Sequence, residues 1–334
     1  MKKQTIIMGC VTLLALSGCN AKDTVYTHTD TAMGTIINQT IYGKEDVTKD
    51  VLSVITDLEE DTLSWRVESS EISQINASAG LEDGVVLSAS MQEYLTTILD
   101  VSEKSEGNFD PTIGKITRLW NIDEQNTVIP KQSEIDKLLP DVGYQKLTLS
   151  SGRLYLPENS SLDFGAVGKG IACDSIYELL ADSENVSGGV VSVGGSIVTY
   201  GEKPDHSNWN VAITHPREES SYLGSVSVPG GTFLSTSGDY ERYVEVDGVR
   251  YHHIMNPHTG YPANSGLCSV TIVSDNGLLS DALSTACFVL GAEDGMTLAK
   301  QYDVEALFVT TEQEIIMTDG MEKIFTPVSG SSTQ

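Results

Sequence analysis

The feature that most constrains the fold is the way strand and helix patterns mix along the chain. From residue 144 onward strand patterns dominate, and a further strand is predicted over 35–42. Helical patterns occur at five places, namely 46–60, 88–105, 170–182, 278–290 and 293–302. A doubly wound parallel fold needs regular alternation of strands and helices, which this order lacks. The sequence therefore predicts an α+β fold, or a mixed α/β sheet.

The first residues have the pattern of an export signal. Met1, Lys2 and Lys3 form a basic start, and an apolar run from Ile6 to Leu16 follows. That run is shorter than the roughly 20 apolar residues that span a bilayer. Ser17 and Gly18 directly before Cys19 resemble the lipobox of bacterial lipoproteins. We therefore expect a signal peptide over 1–18, with Cys19 acylated by a fatty acid such as palmitate and anchoring an extracytoplasmic protein to the membrane, on the periplasmic side or at the cell surface. The alternative is a plain secretory signal with a chance cysteine.

Net charge bears on the expected partners, and the patterns along the chain predict the domain boundaries. The formal net charge of −27 disfavours nucleic-acid binding, because such a surface repels phosphate backbones. We expect a tether over 19–30, a main domain over 31–326 with a peripheral insertion at 121–143, and a disordered tail over 327–334. Apolar neighbours surround three cysteines, which we expect to be buried and unpaired: Cys173, Cys268 and Cys287.

The first segment that could carry chemistry is the glycine-rich run from Leu162 to Gly170. It is neither a Walker A loop, because Gly170 follows Lys169, nor a Rossmann fingerprint, because its glycines have the wrong spacing. Glycines beside a lysine at the start of a helix can still bind a phosphate through free N–H groups and a cation. The alternative is a strand-to-helix turn with a solvated lysine.

A second candidate is the pair formed by Asp281 and Thr285. A spacing of four places both on one face of a helix, where their oxygen atoms can meet one ion. Such hard ligands suit Mg²⁺, which keeps several waters and shares itself with substrate phosphates. The alternative is that Asp281 caps the helix.

The third candidate combines Thr236–Arg242 with Tyr251–Pro262, on either side of a hairpin turn predicted at Val246–Val249. Neighbouring strand residues point to opposite faces, so His252 and His253 are not expected to chelate one metal. One of them can act as a general base; the alternative is a turn-rich loop with surface histidines. Signatures of serine hydrolases, zincins and thiol-redox proteins are missing from the sequence.

Taken together and in this order, the segments resemble the ApbE family of FAD:protein FMN transferases. The resemblance includes the motifs Ala32–Thr35, Ser70–Asn76, Phe109–Gly114 with Leu119 and Trp120, Asp163–Gly170 with Asp174, Gly194–Gly195, Thr236–Arg242, His253–Pro262 and Asp281–Thr285. It implies an ApbE-like, T-fold-like main domain with a smaller inserted or peripheral lobe.

The resemblance also implies roles for individual residues. Residues implied to contact FAD are Met33, Trp65, Asn108, Phe109, Asp110, Asp163, Lys169 and Met255. Implied ligands of Mg²⁺ or Mn²⁺ are the carbonyl of Ala166 with Asp281, Thr285 and Ser284. His253 matches the catalytic base. The chain departs from the family at Asn256, where an aspartate is usual, and this puts any acid–base or ligand role there in doubt.

The implied reaction moves FMN from FAD to a Thr or Ser hydroxyl of an acceptor flavoprotein, with release of AMP. The implied acceptors are membrane redox subunits. Two alternatives stay open, a pyrophosphatase that splits FAD into FMN and AMP, and an FAD-binding lipoprotein without turnover. A solute receptor would need two βαβ lobes, and the sequence lacks their alternation.

Overall fold

The computed structural model describes residues 23–122, 128–218 and 220–328. The strands in this part of the chain are β1 (Thr24–Ala32), β2 (Thr35–Gly43), β3 (Val85–Val86), β4 (Thr148–Ser150), β5 (Arg153–Tyr155), β6 (Val186–Val193), β7 (Ser196–Gly201), β8 (Trp209–Thr214), β9 (Tyr222–Val228), β10 (Phe233–Gly238), β11 (Tyr243–Val246), β12 (Val249–His252), β13 (Leu267–Ser274), β14 (Glu305–Thr310), β15 (Ile315–Met317) and β16 (Phe325–Pro327).

Helices alternate irregularly with these strands along the chain. The α-helices are α1 (Thr48–Leu58), α2 (Glu71–Ala77), α3 (Ala89–Lys104), α4 (Gly114–Trp120), α5 (Gln132–Leu138), α6 (Gly168–Asp182), α7 (Gly277–Leu290), α8 (Ala292–Gln301) and α9 (Met321–Ile324). Helix α1 continues into one π-helical turn over Glu59–Leu63. The five predicted helices correspond to α1, α3, α6, α7 and α8.

An eight-stranded antiparallel sheet forms the centre of the fold, in the order β1-β2-β6-β7-β10-β13-β14-β15. Both of its faces are covered. In β14, for example, Ala306 and Phe308 pack into the core on the helical side, and Leu307 and Val309 pack into a core with the small sheet β16-β9-β8. This burial on both faces explains the continuous apolar run of β14. The α+β prediction is confirmed.

Several local predictions can be compared with the structure. The hairpin β11–β12 turns at Asp247 and Gly248, both with positive φ (53° and 75°), as the Asp-Gly pair requires. Cys173, Cys268 and Cys287 are buried and unpaired, as predicted. The tether expected over 19–30 is wrong from Thr24 onward. That stretch is strand β1, paired with β2 along its whole length, because its alternating threonines suit an exposed sheet edge.

Two further predicted segments lie partly outside the described residues. Of the insertion predicted at 121–143, residues 123–127 are not described; the remainder contains α5, whose Ile135 packs against Trp120. Of the tail predicted at 327–334, the described part ends at Val328, and Pro327 pairs with Gly224 in β9.

Candidate active site

A cleft lies where the start of α6, the middle of α7 and the loop after β12 meet. The space in the cleft, including its opening to solvent, is about 1130 Å³. Eleven of the residues selected from the sequence line it, namely Trp65, Asn108, Phe109, Asp110, Asp163, Ala166, Lys169, His253, Met255, Asp281 and Thr285. The fold thus brings together side chains that are up to 220 positions apart in sequence (65 to 285).

The glycine-rich loop is fixed before it enters α6. Asp163 accepts hydrogen bonds from the Gly165 N–H at 2.8 Å and from the Thr117 hydroxyl at 2.6 Å. Asn76 fixes Leu162, the residue before Asp163, since its side chain both donates to and accepts from the Leu162 backbone. The loop therefore holds Lys169, in the first turn of α6, in a defined place at the cleft.

Helices α6 and α7 cross at two glycines. A Cβ on Gly170 would overlap the Gly277 carbonyl oxygen and lie 2.7 Å from Asp281 Cβ. Asp174 also joins the helices, because its carboxylate accepts the N–H groups of Gly277 and Leu278 at 2.6 and 2.7 Å. Burial raises the pKa of Asp174 to about 6. Gly170 is thus required for helix packing, and the close crossing brings Asp281 to the start of α6.

Asp281 is a buried carboxylate that reaches the cleft. It is 2% exposed and accepts hydrogen bonds from the Gly170 N–H at 2.8 Å and the Ser196 hydroxyl at 3.2 Å. The Lys169 Nζ lies 4.0 Å from its Oδ1. The helix cap is Asn276, whose Oδ1 accepts the Leu279 N–H, so the capping alternative for Asp281 is wrong.

One helical turn after Asp281, hydroxyl groups cluster around Ser237. The Ser237 hydroxyl lies 2.8 Å from that of Ser284 and 3.2 Å from that of Thr285. Ser284 is fully buried and donates to the Asp281 carbonyl at 2.9 Å, so it does not line the cleft. Thr285 does line it.

The oxygen atoms at this place fit a hard divalent cation. The Asp281 carboxylate, the Thr285 hydroxyl and Ala166 line one cleft. The ion pair between that buried carboxylate and Lys169 is long, at 4.0 Å, which leaves room for a cation. Within the described ranges, no three His, Cys, Asp or Glu side chains form a metal-binding group. A site with one carboxylate and neutral oxygens suits an ion that completes its shell with water and substrate phosphate.

His253 presents one ring nitrogen to the cleft. Its Nδ1 lies 3.2 Å from the Arg242 carbonyl oxygen, which can only accept, so Nδ1 carries the proton and Nε2 is the acceptor. Burial, followed by the positive charges of Arg242 and Lys169, lowers the pKa of His253 to about 3. The imidazole is therefore neutral at physiological pH, with Nε2 unprotonated.

His252 points the other way, as the strand geometry predicts. It is buried, and its Nε2 lies 2.9 Å from the Ala263 carbonyl oxygen, while its Nδ1 accepts the Ile254 N–H at 3.2 Å. Both ring nitrogens are used inside the protein. Of the two adjacent histidines, only His253 lines the cleft.

Aromatic and apolar side chains form part of the other walls. Two guanidinium groups contact the Trp65 ring, with Arg66 at 4.2 Å and Arg118 at 4.6 Å from the ring centroid. Phe109 and Met255 are both less than 10% exposed. A flat ring system fits such walls, because stacking and cation–π contacts favour planar aromatic groups.

Two polar residues, Asp110 in the cleft wall and Asn256 beside it, serve mainly to shape the backbone. Asp110 accepts hydrogen bonds from the Thr112 N–H and hydroxyl and from the Tyr144 N–H, and burial raises its pKa. At position 256, where this chain has Asn in place of the usual Asp, the Asn256 Oδ1 accepts the His258 N–H at 2.8 Å. An amide oxygen does this as well as a carboxylate, so the turn survives the change from Asp to Asn.

Some selected residues lie elsewhere, and others were missed. Met33 occupies the turn between β1 and β2 with φ 52°, and its N–H donates to Glu59 at 2.7 Å; it does not line the cleft. Cys19 lies outside the described residues. Sequence reasoning missed several lining residues: Arg66, Thr117, Ser237, Glu241 and Arg242. The signal for three of them was present, since Ser237, Glu241 and Arg242 belong to the quoted Thr236–Arg242 motif.

Comparison with known sequences gives consistent relatives over most of the chain. The model of the ApbE family matches residues 33–308. An FAD:protein FMN transferase of Treponema pallidum is 30% identical over 339 residues, which cover 94% of this chain and 93% of that protein. One from Escherichia coli K12 is 31% identical over 277 residues, covering 81% and 78% of the two chains.

Comparison with solved structures gives the same result. The ApbE protein of Thermotoga maritima superposes with a TM-score of 0.82 at 28% identity, covering 91% of this chain and 100% of that one. The apo form of the flavinyl transferase ApbE from Pseudomonas stutzeri gives a TM-score of 0.78 at 28% identity, covering 92% and 99%.

Proposed function

This chain belongs to the ApbE family, and on that premise we propose that it carries FMN from FAD to a protein hydroxyl with the help of a divalent cation. One observation carries the proposal: Lys169, Asp281, Thr285 and His253 meet in a single cleft whose other lining residues include the aromatic and apolar side chains of Trp65, Phe109, Ile254 and Met255. The four polar residues suit a pyrophosphate, and the aromatic and apolar side chains suit the ring systems of FAD.

The cation is proposed to be Mg²⁺ or Mn²⁺, held by Asp281, Thr285 and the Ala166 carbonyl. Ser284 remains a weaker candidate, because its hydroxyl is buried and donates to the Asp281 carbonyl. When bound, such an ion neutralises charge on the pyrophosphate and on the leaving AMP. Lys169 adds a positive charge at the same end of the cleft, and burial strengthens its electrostatic effect.

The residues of the chain suit a simple displacement. The hydroxyl oxygen of the acceptor forms a bond to the phosphorus of the FMN half, and the bond from that phosphorus to the oxygen of AMP breaks. The hydroxyl proton passes to Nε2 of His253 as the new bond to phosphorus forms, since Nδ1 carries the ring proton and Nε2 is unprotonated. Catalysis then rests mainly on positioning and on charge stabilisation by Lys169, with Asp281 contributing through the cation that it would hold.

Mixing the purified protein with FAD, Mg²⁺ and an apo flavoprotein acceptor tests this function. We expect the acceptor to gain the mass of one FMN group in mass spectrometry, because its Thr or Ser becomes a phosphoester. Free FMN and AMP with an unchanged acceptor would instead identify an FAD pyrophosphatase. Unchanged FAD would identify a binding protein without turnover.

We also propose that the protein is a lipoprotein on the outer side of a membrane, acting on membrane-bound redox subunits. The support is the sequence of residues 1–19, which lie outside the described part of the chain. Among the described residues, no helix is both long and apolar enough to cross a bilayer. An anchor at Cys19 leaves four residues before β1 begins at Thr24, which keeps the catalytic domain close to the membrane and to such acceptors.

A form that starts at Lys22 should keep its activity in solution, because it retains all of β1. We expect its rate of FMN transfer to a soluble acceptor to lie within about twofold of the full-length protein, since no residue that lines the cleft precedes Trp65 in the chain. In cells, Cys19→Ala should shift the protein from the membrane fraction to the soluble fraction. Loss of activity by the Lys22 form, or membrane retention of Cys19→Ala, would contradict the anchor proposal.

A further inference from the structure

A second cavity opens beside the cleft and shares one end with it. Lys169, Thr236, Glu241 and Arg242 line both cavities. We call this second cavity the side groove. Because Lys169 is also the lysine next to Asp281, the side groove leads directly to the place where the reacting phosphorus is proposed to lie.

The floor of the side groove is the face of the main sheet. Ile197 on β7 pairs with Leu234 on β10, and Thr236 follows two residues later on the same face. Two tight turns, Gly34–Thr35 and Gly194–Gly195, form one wall. Gly195 brings this wall close to the shared end, since a Cβ there would lie 2.8 Å from the Glu241 Oε1.

The opposite wall is the edge of strand β8. Four consecutive residues, Val211 to Thr214, line the side groove. A cavity over the face of a strand would be lined by alternate residues, so a consecutive run means that the groove follows the backbone. Within the described residues β8 pairs only with β9, as the outer strand of the sheet β16-β9-β8. Its other edge therefore offers backbone N–H and C=O groups to the groove.

We propose that the side groove binds an extended segment of the acceptor protein, which adds as a strand to the free edge of β8. This inference rests on the proposed function. Backbone pairing holds such a segment in a fixed register. Its Thr or Ser hydroxyl then reaches the shared end at Lys169, forms the bond to the FMN phosphorus as AMP leaves, and gives its proton to His253. FAD enters through the cleft, so donor and acceptor approach from different sides.

The side chains of β8 fit this use. Asn210, Ala212 and Thr214 alternate with the buried residues Trp209, Val211 and Ile213, and all three are exposed. Ala212 and Thr214 line the side groove, whereas Asn210 does not. The small side chain of Ala212 leaves room for a neighbouring strand, which would lie about 4.8 Å away.

Ala212→Trp tests the proposal, with Asn210→Trp as the matched control on the same face of the same strand. The probe is an apo flavoprotein domain that carries FMN on a Thr hydroxyl when mature. We expect Ala212→Trp to lower kcat/KM for this acceptor roughly tenfold or more, because the indole fills the space of the incoming strand. Its Kd for FAD should equal that of the wild type, since Ala212 does not line the cleft. Asn210→Trp should change neither constant.

Thr214→Trp provides a second blocking variant if Ala212→Trp does not fold. Hydrogen exchange of the wild type gives a direct view of pairing: the amides of 209–214 should exchange more slowly when the acceptor is added. Undiminished transfer by a folded blocking variant overturns the side-groove assignment alone. Absence of transfer by the wild type is a failure of the proposed function, and overturns the inference with it.

Discussion

Asp281→Ala is expected to lower the rate of FMN transfer by roughly three orders of magnitude. The change removes the only carboxylate among the proposed ligands, and with it the negative charge that holds a cation beside Lys169. The fold should persist. The Gly170 N–H and the Ser196 hydroxyl lose an acceptor, at a cost of about 1–3 kcal/mol for a buried donor, but the desolvation cost of a buried carboxylate is removed at the same time. Single-turnover transfer to an acceptor, measured with thermal unfolding, checks both parts.

Two variants serve as controls for Asp281→Ala. Asp281→Asn keeps an oxygen for the Gly170 N–H and loses only the charge, so it should be nearly as inactive while unfolding at close to the wild-type temperature. Asp275→Ala changes an exposed carboxylate just before the same helix and should leave transfer unaffected. Transfer at near wild-type rate by Asp281→Ala in buffer with ample Mg²⁺ would show that the metal and catalytic assignment is wrong.

Gly170→Ala is expected to destabilise the protein by about 3 kcal/mol. The new methyl group would overlap the Gly277 carbonyl oxygen and come within 2.7 Å of Asp281 Cβ. Both contacts belong to α7, so the two helices must move apart, and Asp281 must move with its helix. We therefore expect a loss of transfer activity as well as a lower free energy of unfolding in urea.

Gly168→Ala is the matched control, two residues earlier in the same helix. A Cβ there meets only Leu63 Cδ1, at an ordinary distance of 3.7 Å. Alanine favours helix over glycine by up to about 1 kcal/mol, so this variant should be as stable as the wild type or slightly more stable. Equal stability of Gly170→Ala and Gly168→Ala would contradict the packing role given to Gly170.

The sequence predicted most of the elements that carry the cleft, for physical reasons that can be named. Helical spacing placed Asp281 and Thr285 on one face of α7, and both line the cleft. Strand alternation separated His252 from His253, and the structure buries the first and directs the second to the cleft. These patterns are local, so a single sequence contains them.

The features that were missed depend on contacts between distant segments. From the sequence, Gly170 was interpreted as part of a phosphate-binding loop. Its closeness to Gly277 depends on the crossing of α6 and α7, which only the folded structure shows. Residues 24–30 were taken for a tether, because a polar edge strand such as β1 has little apolar patterning. The free edge of β8 could not be predicted either, since edge position is a property of the assembled sheet.

The most direct test of the account compares two products of one reaction. The purified protein is incubated with FAD, Mg²⁺ and an apo acceptor, and both the AMP released and the FMN bound to the acceptor are quantified. A transfer reaction predicts equal molar amounts of the two at every time point, with FMN located on a Thr or Ser by fragmentation of the modified peptide. AMP released in large excess over bound FMN, or no AMP at all, would contradict it.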